Sequence, residues 1–209
     1  MKLVIFGVSG KTGTAVLAAA LRSDLPIVGV DRLKDSHNNT EEEGITFVDY
    51  ADSRRLKEII AGSDGVFIAF GPRPPYTDIF CAEATKNIVS AMTQTGVSRL
   101  ICQTGSMIGD YPKNRTFFFK KISEMYVKNN PLGYKDRVLQ EEVVKNSKLS
   151  WTIIKPPRLT DATLKKRIIV GDKVVVGLLS SLSRATLAEF VIREFGENSY
   201  LNKVIFLRN

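Results

Sequence analysis

Lys2-Leu3-Val4-Ile5-Phe6-Gly7-Val8-Ser9-Gly10-Lys11-Thr12-Gly13 is a short apolar run meeting three glycines at G-x-x-G-x-x-G spacing. Thr14 to Leu21 then reads as an Ala/Leu-rich helix, so the stretch predicts strand, tight turn, helix. Each glycine has a separate task. Gly7 permits unusual turn dihedrals, Gly10 lets the backbone approach a ligand, and Gly13 lets the helix lie against the strand. The opening of that helix presents N–H groups and a positive dipole end, which suit a pyrophosphate. Gly7, Ser9, Gly10, Lys11, Thr12 and Gly13 are therefore the expected phosphate-side residues of a nucleotide site.

Working outward, Pro26–Val30 reads as a second strand ending at Asp31-Arg32. Ile45–Val48 is a third, closed by Asp49-Tyr50, and Val66–Phe70 a fourth, broken by Gly71-Pro72-Arg73-Pro74-Pro75. Arg99–Gln103 runs into Thr104-Gly105-Ser106, and Trp151–Ile154 into Lys155-Pro156-Pro157-Arg158. Helical spacing separates these strands over residues 53–61, 79–95 and 134–146, and again over 184–195 before a last strand, 204–207. Pro112 and Pro131 bracket a helix containing Phe117-Phe118-Phe119. Ile168–Val170 and Val174–Val176, turned by Gly171-Asp172, predict a hairpin. Strands alternating with helices give a parallel sheet covered on both faces, a doubly wound Rossmann-type α/β fold. Residues 1–209 read as a single domain of this kind, with an acceptor-side region around 107–133 and 158–183. Ligands of such sheets lie beyond the carboxyl ends of the strands, which selects the strand-end residues named above.

The 209 residues, 44% hydrophobic and 25% charged, are those of an ordinary globular protein. The first apolar run is too short and too glycine-broken for a leader, and no stretch reaches the roughly twenty apolar residues of a membrane helix. A cytoplasmic protein is expected. Cys81 and Cys102 make no disulfide framework, and His37 is the one histidine, so neither a metal site nor a Ser-His-Asp triad is expected. The net charge of +8 is spread over Arg54-Arg55, Lys120-Lys121 and Lys165-Lys166-Arg167 without aromatic interleaving, which argues against a nucleic-acid partner.

At the end of strand two an acid accepts hydrogen bonds from a ribose 2′-hydroxyl, whereas an arginine fits a 2′-phosphate. Asp31 lies 18 residues after Gly13, near the spacing of the acid, and Arg32 follows at once, so the residues leave NAD and NADP both open. Asp49 is either an adenine contact or a loop-capping acid.

Several segments, in this order, resemble the atypical short-chain dehydrogenase/reductase family, in particular its small NmrA-like and biliverdin-IXβ/flavin reductase members. Residues 7–13 resemble its GATGxTG turn. Residues 87–92 and 96–100 resemble its helix-to-strand-five segment. Ser147–Pro157 resembles its S-G-L-x-(Y/W)-T-(I/V)-(V/I)-R-P segment, and Leu182–Ala188 its I-S-R-A-D-(L/V)-A helix start. The resemblance implies that Arg32 meets an NADP 2′-phosphate, that Ala69, Phe70 and Gly71 contact pyrophosphate and ribose, and that Pro156 and Pro157 contact the nicotinamide. It also places Thr104 at the family's active-site hydroxyl.

Most short-chain dehydrogenases exchange a proton through Tyr-x-x-x-Lys, and no tyrosine here has lysine four residues on. Hydride transfer to a conjugated ring dispenses with that dyad, because the resulting anion is delocalised and solvent can protonate it. The expected activity is NAD(P)H-dependent reduction of a planar acceptor of flavin, quinone or tetrapyrrole type. The alternative is a non-catalytic NAD(P)-sensing regulator. Arg73, Tyr111, Phe117, Phe118 and Arg158, with Lys113, are the acceptor-side candidates, and Tyr134 and Arg137 the replacements for the dyad.

Overall fold

Leu3–Phe6 (β1), Gly65–Ile68 (β4) and Arg99–Gln103 (β5) are buried at every position, as strands covered by helices on both faces must be. They lie at the centre of a computed structural model that describes residues 1–32, 45–72, 75, 77–163 and 167–209. The polar stretch 34–43 with His37, and Arg73, Lys165 and Lys166, lie outside the described residues. Beside the central strands run Ile27–Arg32 (β2), Ile45–Val48 (β3), Ser150–Lys155 (β6), Ile169–Gly171 (β8) and Lys203–Arg208 (β10). A separate parallel pair joins Arg158–Thr160 (β7) to Ser181–Ser183 (β9). The large sheet has the order β3-β2-β1-β4-β5-β6-β10-β8, parallel throughout except for the β8 edge.

Alternate residues of each strand feed opposite faces. Val4 and Phe6 join a core with Leu56 and Ile60 of Ser53–Ile60 (α2), Ile88 and Met92 of Phe80–Thr95 (α3) and Val144 of Pro131–Asn146 (α5). Leu3 and Ile5 join a second core with Val16 and Ala19 of Lys11–Arg22 (α1) and Leu187 and Val191 of Arg184–Glu197 (α6). Burying each such side chain contributes about 1.5–3 kcal/mol, which holds both helical layers on the sheet. The chain leaves β1 toward β2 and β3 on one side and returns to β4 on the other. The reversal opens a crevice at the carboxyl ends of β1 and β4.

The hairpin expected from 168–176 does not form. Ile169–Gly171 pairs antiparallel with β10 instead, Leu207 opposite Val170, and so covers what would be an open sheet edge. Val176 turns away: its N–H donates to Asn114 O at 2.9 Å and its carbonyl accepts from Thr116 N at 3.0 Å. The buried Asn114 amide fixes the turn between them by donating to the carbonyls of Asp172 and Val174. Phe117–Asn129 (α4) is the helix expected between the prolines. Pro131 itself starts α5, three residues before the expected boundary, since a first-turn proline gives up no hydrogen bond. Among the described residues no helix is long and apolar enough to cross a membrane.

Candidate functional site

Gly7 and Gly13 have the tasks their spacing predicts. Gly7 adopts φ +83°, and a Cβ there would stand 2.8 Å from Phe70 N. A Cβ on Gly13 would stand 2.2 Å from Gly7 O, so α1 rests directly on the strand end. At Gly10 the same addition meets only Gly7 O, at 3.3 Å, and otherwise faces the cavity that Gly10 lines. Asp52 caps α2 and Ser183 caps α6 through their side chains, but Gly10 leaves α1 with no side-chain cap. Among the described residues its first-turn N–H groups have no side-chain acceptor, which fits an anionic ligand. Thr12 and Gly13 are buried beneath the turn and shape it rather than line the opening.

That opening is a cavity of about 540 Å³ lined by Gly7, Gly10, Lys11, Asp31, Arg32, Tyr50, Ala69, Phe70 and Gly71, together with Pro72, Thr77, Asp78 and Phe80. Most of the expected cofactor residues come together here. Tyr50, Phe70 and Phe80 form one aromatic wall with ring centroids 5.4–6.1 Å apart. Burial pushes the Tyr50 phenol far up, so it stays neutral. Asp49 does not line the cavity; its carboxylate accepts from Ala51 N at 2.9 Å and caps its own turn.

Asp31 and Arg32 have different surroundings. One Asp31 oxygen accepts from both the Ser9 amide and the Ser9 hydroxyl, and the other accepts from Arg32 N at 2.8 Å. The acid therefore braces the glycine turn. Arg32 lies with its guanidinium carbon 4.5 Å from the Phe80 ring centre and makes no ion pair with any described residue.

A second cavity, about 480 Å³, adjoins the first at Gly71 and Pro72. Ile108, Phe119, Ile122, Tyr126 and Leu178 give it apolar walls, and Thr104, Pro156, Pro157 and Arg158 stand at the strand ends beneath them. Arg115 donates to the carbonyls of Ser106, Ile108 and Gly109 at 2.8–3.0 Å and so fixes the wall loop. Four expected residues are not in this cavity, and one of them, Lys113, is exposed on the turn ahead of α4. Phe117 and Phe118 are 69% and 68% exposed, because α4 turns Phe119 inward and its two neighbours outward. Tyr111 packs its ring on Phe206 and points its hydroxyl into a buried polar cluster.

Tyr134 is half-buried at the start of α5, in the field of Arg115, and lines neither cavity. Arg137 does line the second cavity, but its guanidinium donates to Phe70 O, Gln103 O and Gln140 Oε1 at 2.7–2.9 Å. It ties the ends of β4 and β5 together. In the expected dyad Arg137 stands for the lysine beside Tyr134, but its guanidinium is taken up by these three acceptors.

Sequence reading missed the cluster behind Thr104. Glu141 Oε1 accepts from the Thr104 hydroxyl at 2.7 Å and from Lys155 Nζ, and its Oε2 accepts from the Tyr111 hydroxyl at 2.9 Å and Lys145 Nζ at 3.4 Å. Burial lowers the Lys155 ammonium to about 8, although Glu141 opposes the shift. Glu141 itself is held below the ordinary carboxylate range: burial acts against this, but Lys155, Thr104 and Lys145 outweigh it. Burial also pushes the Cys81 and Cys102 thiols up to about 12, consistent with inert core cysteines. Lys155 was partly legible, as a lone charge ending an apolar strand. Glu141 was not, because nothing local says which face of α5 turns inward.

The chain superposes on solved structures over its whole length. It is similar to ChuY, an anaerobillin reductase from Escherichia coli O157:H7, with a TM-score of 0.78, 17% identity and coverage of 100% of this chain and 97% of that one. A short-chain dehydrogenase/reductase from Veillonella parvula, solved in complex with NADP, gives 0.76 at 14% identity over 100% and 94%. A candidate NADH-flavin reductase from Streptococcus pneumoniae TIGR4 gives 0.73 at 20% identity over 100% and 99%. At these identities the likeness establishes the fold. A family model described as NAD(P)H-binding matches residues 7–198, a span that begins at the first glycine of the turn and includes both cavities' strand-end residues. The chain belongs to the NAD(P)H-binding family and has the Rossmann fold.

Proposed function

We propose that the protein is an NADPH-dependent reductase of a planar conjugated acceptor of flavin, quinone or tetrapyrrole type. The observation that carries this reading is the meeting of the two cavities at Gly71 and Pro72, a cofactor-sized cleft opening onto an apolar one. Held by the residues of the first cavity, the reduced cofactor would supply a hydride. The residues of the second do the rest: Ile108, Phe119, Ile122 and Tyr126 hold a flat ring, and Arg158 attracts an acidic substituent. Anaerobic mixing with NADPH and FMN, a quinone or a linear tetrapyrrole should remove the near-ultraviolet absorbance of reduced nicotinamide. Tight NADPH binding with none of these acceptors reduced would replace the proposal by the sensing reading.

The NADPH preference rests on Arg32, which has no ion-pair partner among the described residues, and on Asp31, whose oxygens are engaged by Ser9 and by the backbone. Arg32→Ala should weaken NADPH binding by about 10- to 100-fold, the worth of a hydrogen-bonded charge, and leave NADH nearly unaffected. Calorimetric titration with both dinucleotides checks this; an equal loss for both would remove Arg32 from the discrimination.

A further inference from the structure

The cluster behind Thr104 is an unusual thing to bury. Lys155 is 0% and Glu141 1% exposed, and a buried ion pair contributes no more to stability than well-packed apolar residues of the same size. It is also directional. Thr104 is the cluster member that lines the acceptor-side cavity, and the Lys145 side chain, 37% exposed, is the member that reaches solvent. Between them the contacts are continuous. Lys145 Nζ donates to Tyr111 Oη at 2.7 Å, Tyr111 donates to Glu141 Oε2 at 2.9 Å, Glu141 Oε1 accepts from Lys155, and Lys155 Nζ lies 3.3 Å from Thr104 Oγ1.

We propose that this hydrogen-bonded chain, Lys145–Tyr111–Glu141–Lys155–Thr104, delivers a proton from solvent to the acceptor once hydride has reached it. The inference rests on the reductase reading. It assigns Thr104 as the residue touching the acceptor, and Lys155, Glu141, Tyr111 and Lys145 as groups acting through it.

Hydride arrival brings two electrons and leaves a basic electron pair on an acceptor heteroatom. The Thr104 hydroxyl turns from Glu141 Oε1 to that atom, and its O–H bond breaks toward it while an N–H proton of Lys155 passes to Oγ1, so threonine is restored and Lys155 becomes a neutral amine. Lys145 then gives a proton to the Tyr111 oxygen as the phenolic proton passes to Glu141 Oε2. A half-turn of the carboxyl presents that proton to Lys155, and water reprotonates Lys145. The net change is one hydride and one solvent proton added to the acceptor.

Burial and the Glu141 carboxylate raise the Tyr111 phenol far above its usual range, so it passes protons in concert and never stands ionised. Lys155, near 8, is matched to proton donation at neutral pH. The groups facing Lys155 are Glu141 and Lys145 of α5, Tyr111 and Arg115 of the segment after β5, the hydroxyl of Thr104 and the thiol of Cys102, and the Phe206 ring of β10.

The test has two arms. In cofactor-free protein with 15N-labelled lysine, the Lys155 side-chain signal should titrate near 8, and Glu141→Gln should move it lower, because the carboxylate that favours the ammonium is gone. In turnover with NADPH and FMN, Thr104→Val should lower kcat about a hundredfold with the KM for NADPH within about twofold, and Thr104→Ser should recover most of it. Wild-type kcat should fall as pH rises through about 8, where the donor ammonium is lost, and Glu141→Gln should shift that limb lower. A Lys155 signal in the ordinary lysine range, or an unchanged kcat in Thr104→Val, would overturn the relay while the reductase reading stands. Wild-type protein that reduces no acceptor would overturn both.

Discussion

Gly13→Ala should destabilise the protein by about 3 kcal/mol or more and abolish cofactor binding with it. The added methyl would stand 2.2 Å from Gly7 O and 2.7 Å from Val8 Cα, and neither backbone atom can move without lifting α1 off β1. This lies at or beyond the upper end of ordinary overpacking costs. Gly10→Ala should behave differently. Its one close neighbour is Gly7 O at 3.3 Å, so the fold should be kept within about 1 kcal/mol. The methyl, however, would occupy the mouth of the uncapped α1 N-terminus and weaken NADPH binding at least about tenfold. Urea unfolding and calorimetry on the two variants separate the glycine that makes the turn from the glycine that admits the ligand. Equal stability losses would show that the helix can shift to accommodate either methyl.

Glu194→Ala should cost about 3–5 kcal/mol, from a site far from either cavity. Glu194 of α6 is 1% exposed and pairs at 2.8 Å with Arg99 of β5, whose side chain is 7% exposed. The same carboxylate accepts from the Ser199 and Tyr200 amides at 3.2 and 3.0 Å and from the Thr152 hydroxyl at 3.3 Å. Truncation would strand a buried guanidinium and release the turn that leads into β10. Glu194→Gln should recover part of the loss by keeping the hydrogen bonds but not the charge. Thermal unfolding should fall by about 10 °C for the alanine variant, and a fall of under about 2 °C would mean that water reaches Arg99 and replaces its partner.

The phosphate turn was readable from residues 2–13 because its constraints are local: a glycine is needed wherever a φ is positive or a backbone lies against a backbone, and composition records that directly. Strand-end positions followed from the same logic, since the parallel fold sends all of them to one crevice. The acceptor side was less legible. Phe117, Phe118 and Phe119 are equivalent as letters, yet α4 turns only Phe119 to the cavity. The valines of 174–176 look like half a hairpin, but the unpaired edge of β10 takes Ile169–Gly171 instead. Local β-propensity cannot report which distant edge lacks hydrogen bonds.

By itself, the sequence determined the nucleotide turn, the doubly wound order and the missing Tyr-x-x-x-Lys pair, all of which are properties of short spacings. Only the tertiary structure decided that Asp31 braces the turn while Arg32 lies on the Phe80 ring, and that Arg137 is a strut. It alone joined Thr104 to Glu141, Lys155, Tyr111 and Lys145, residues drawn from the segment after β5, the helix α5 and the strand β6. The physical reason is burial. A charged side chain becomes a functional group of this kind only when the fold removes water from around it and presents one partner per proton, and both conditions depend on residues far away in the chain.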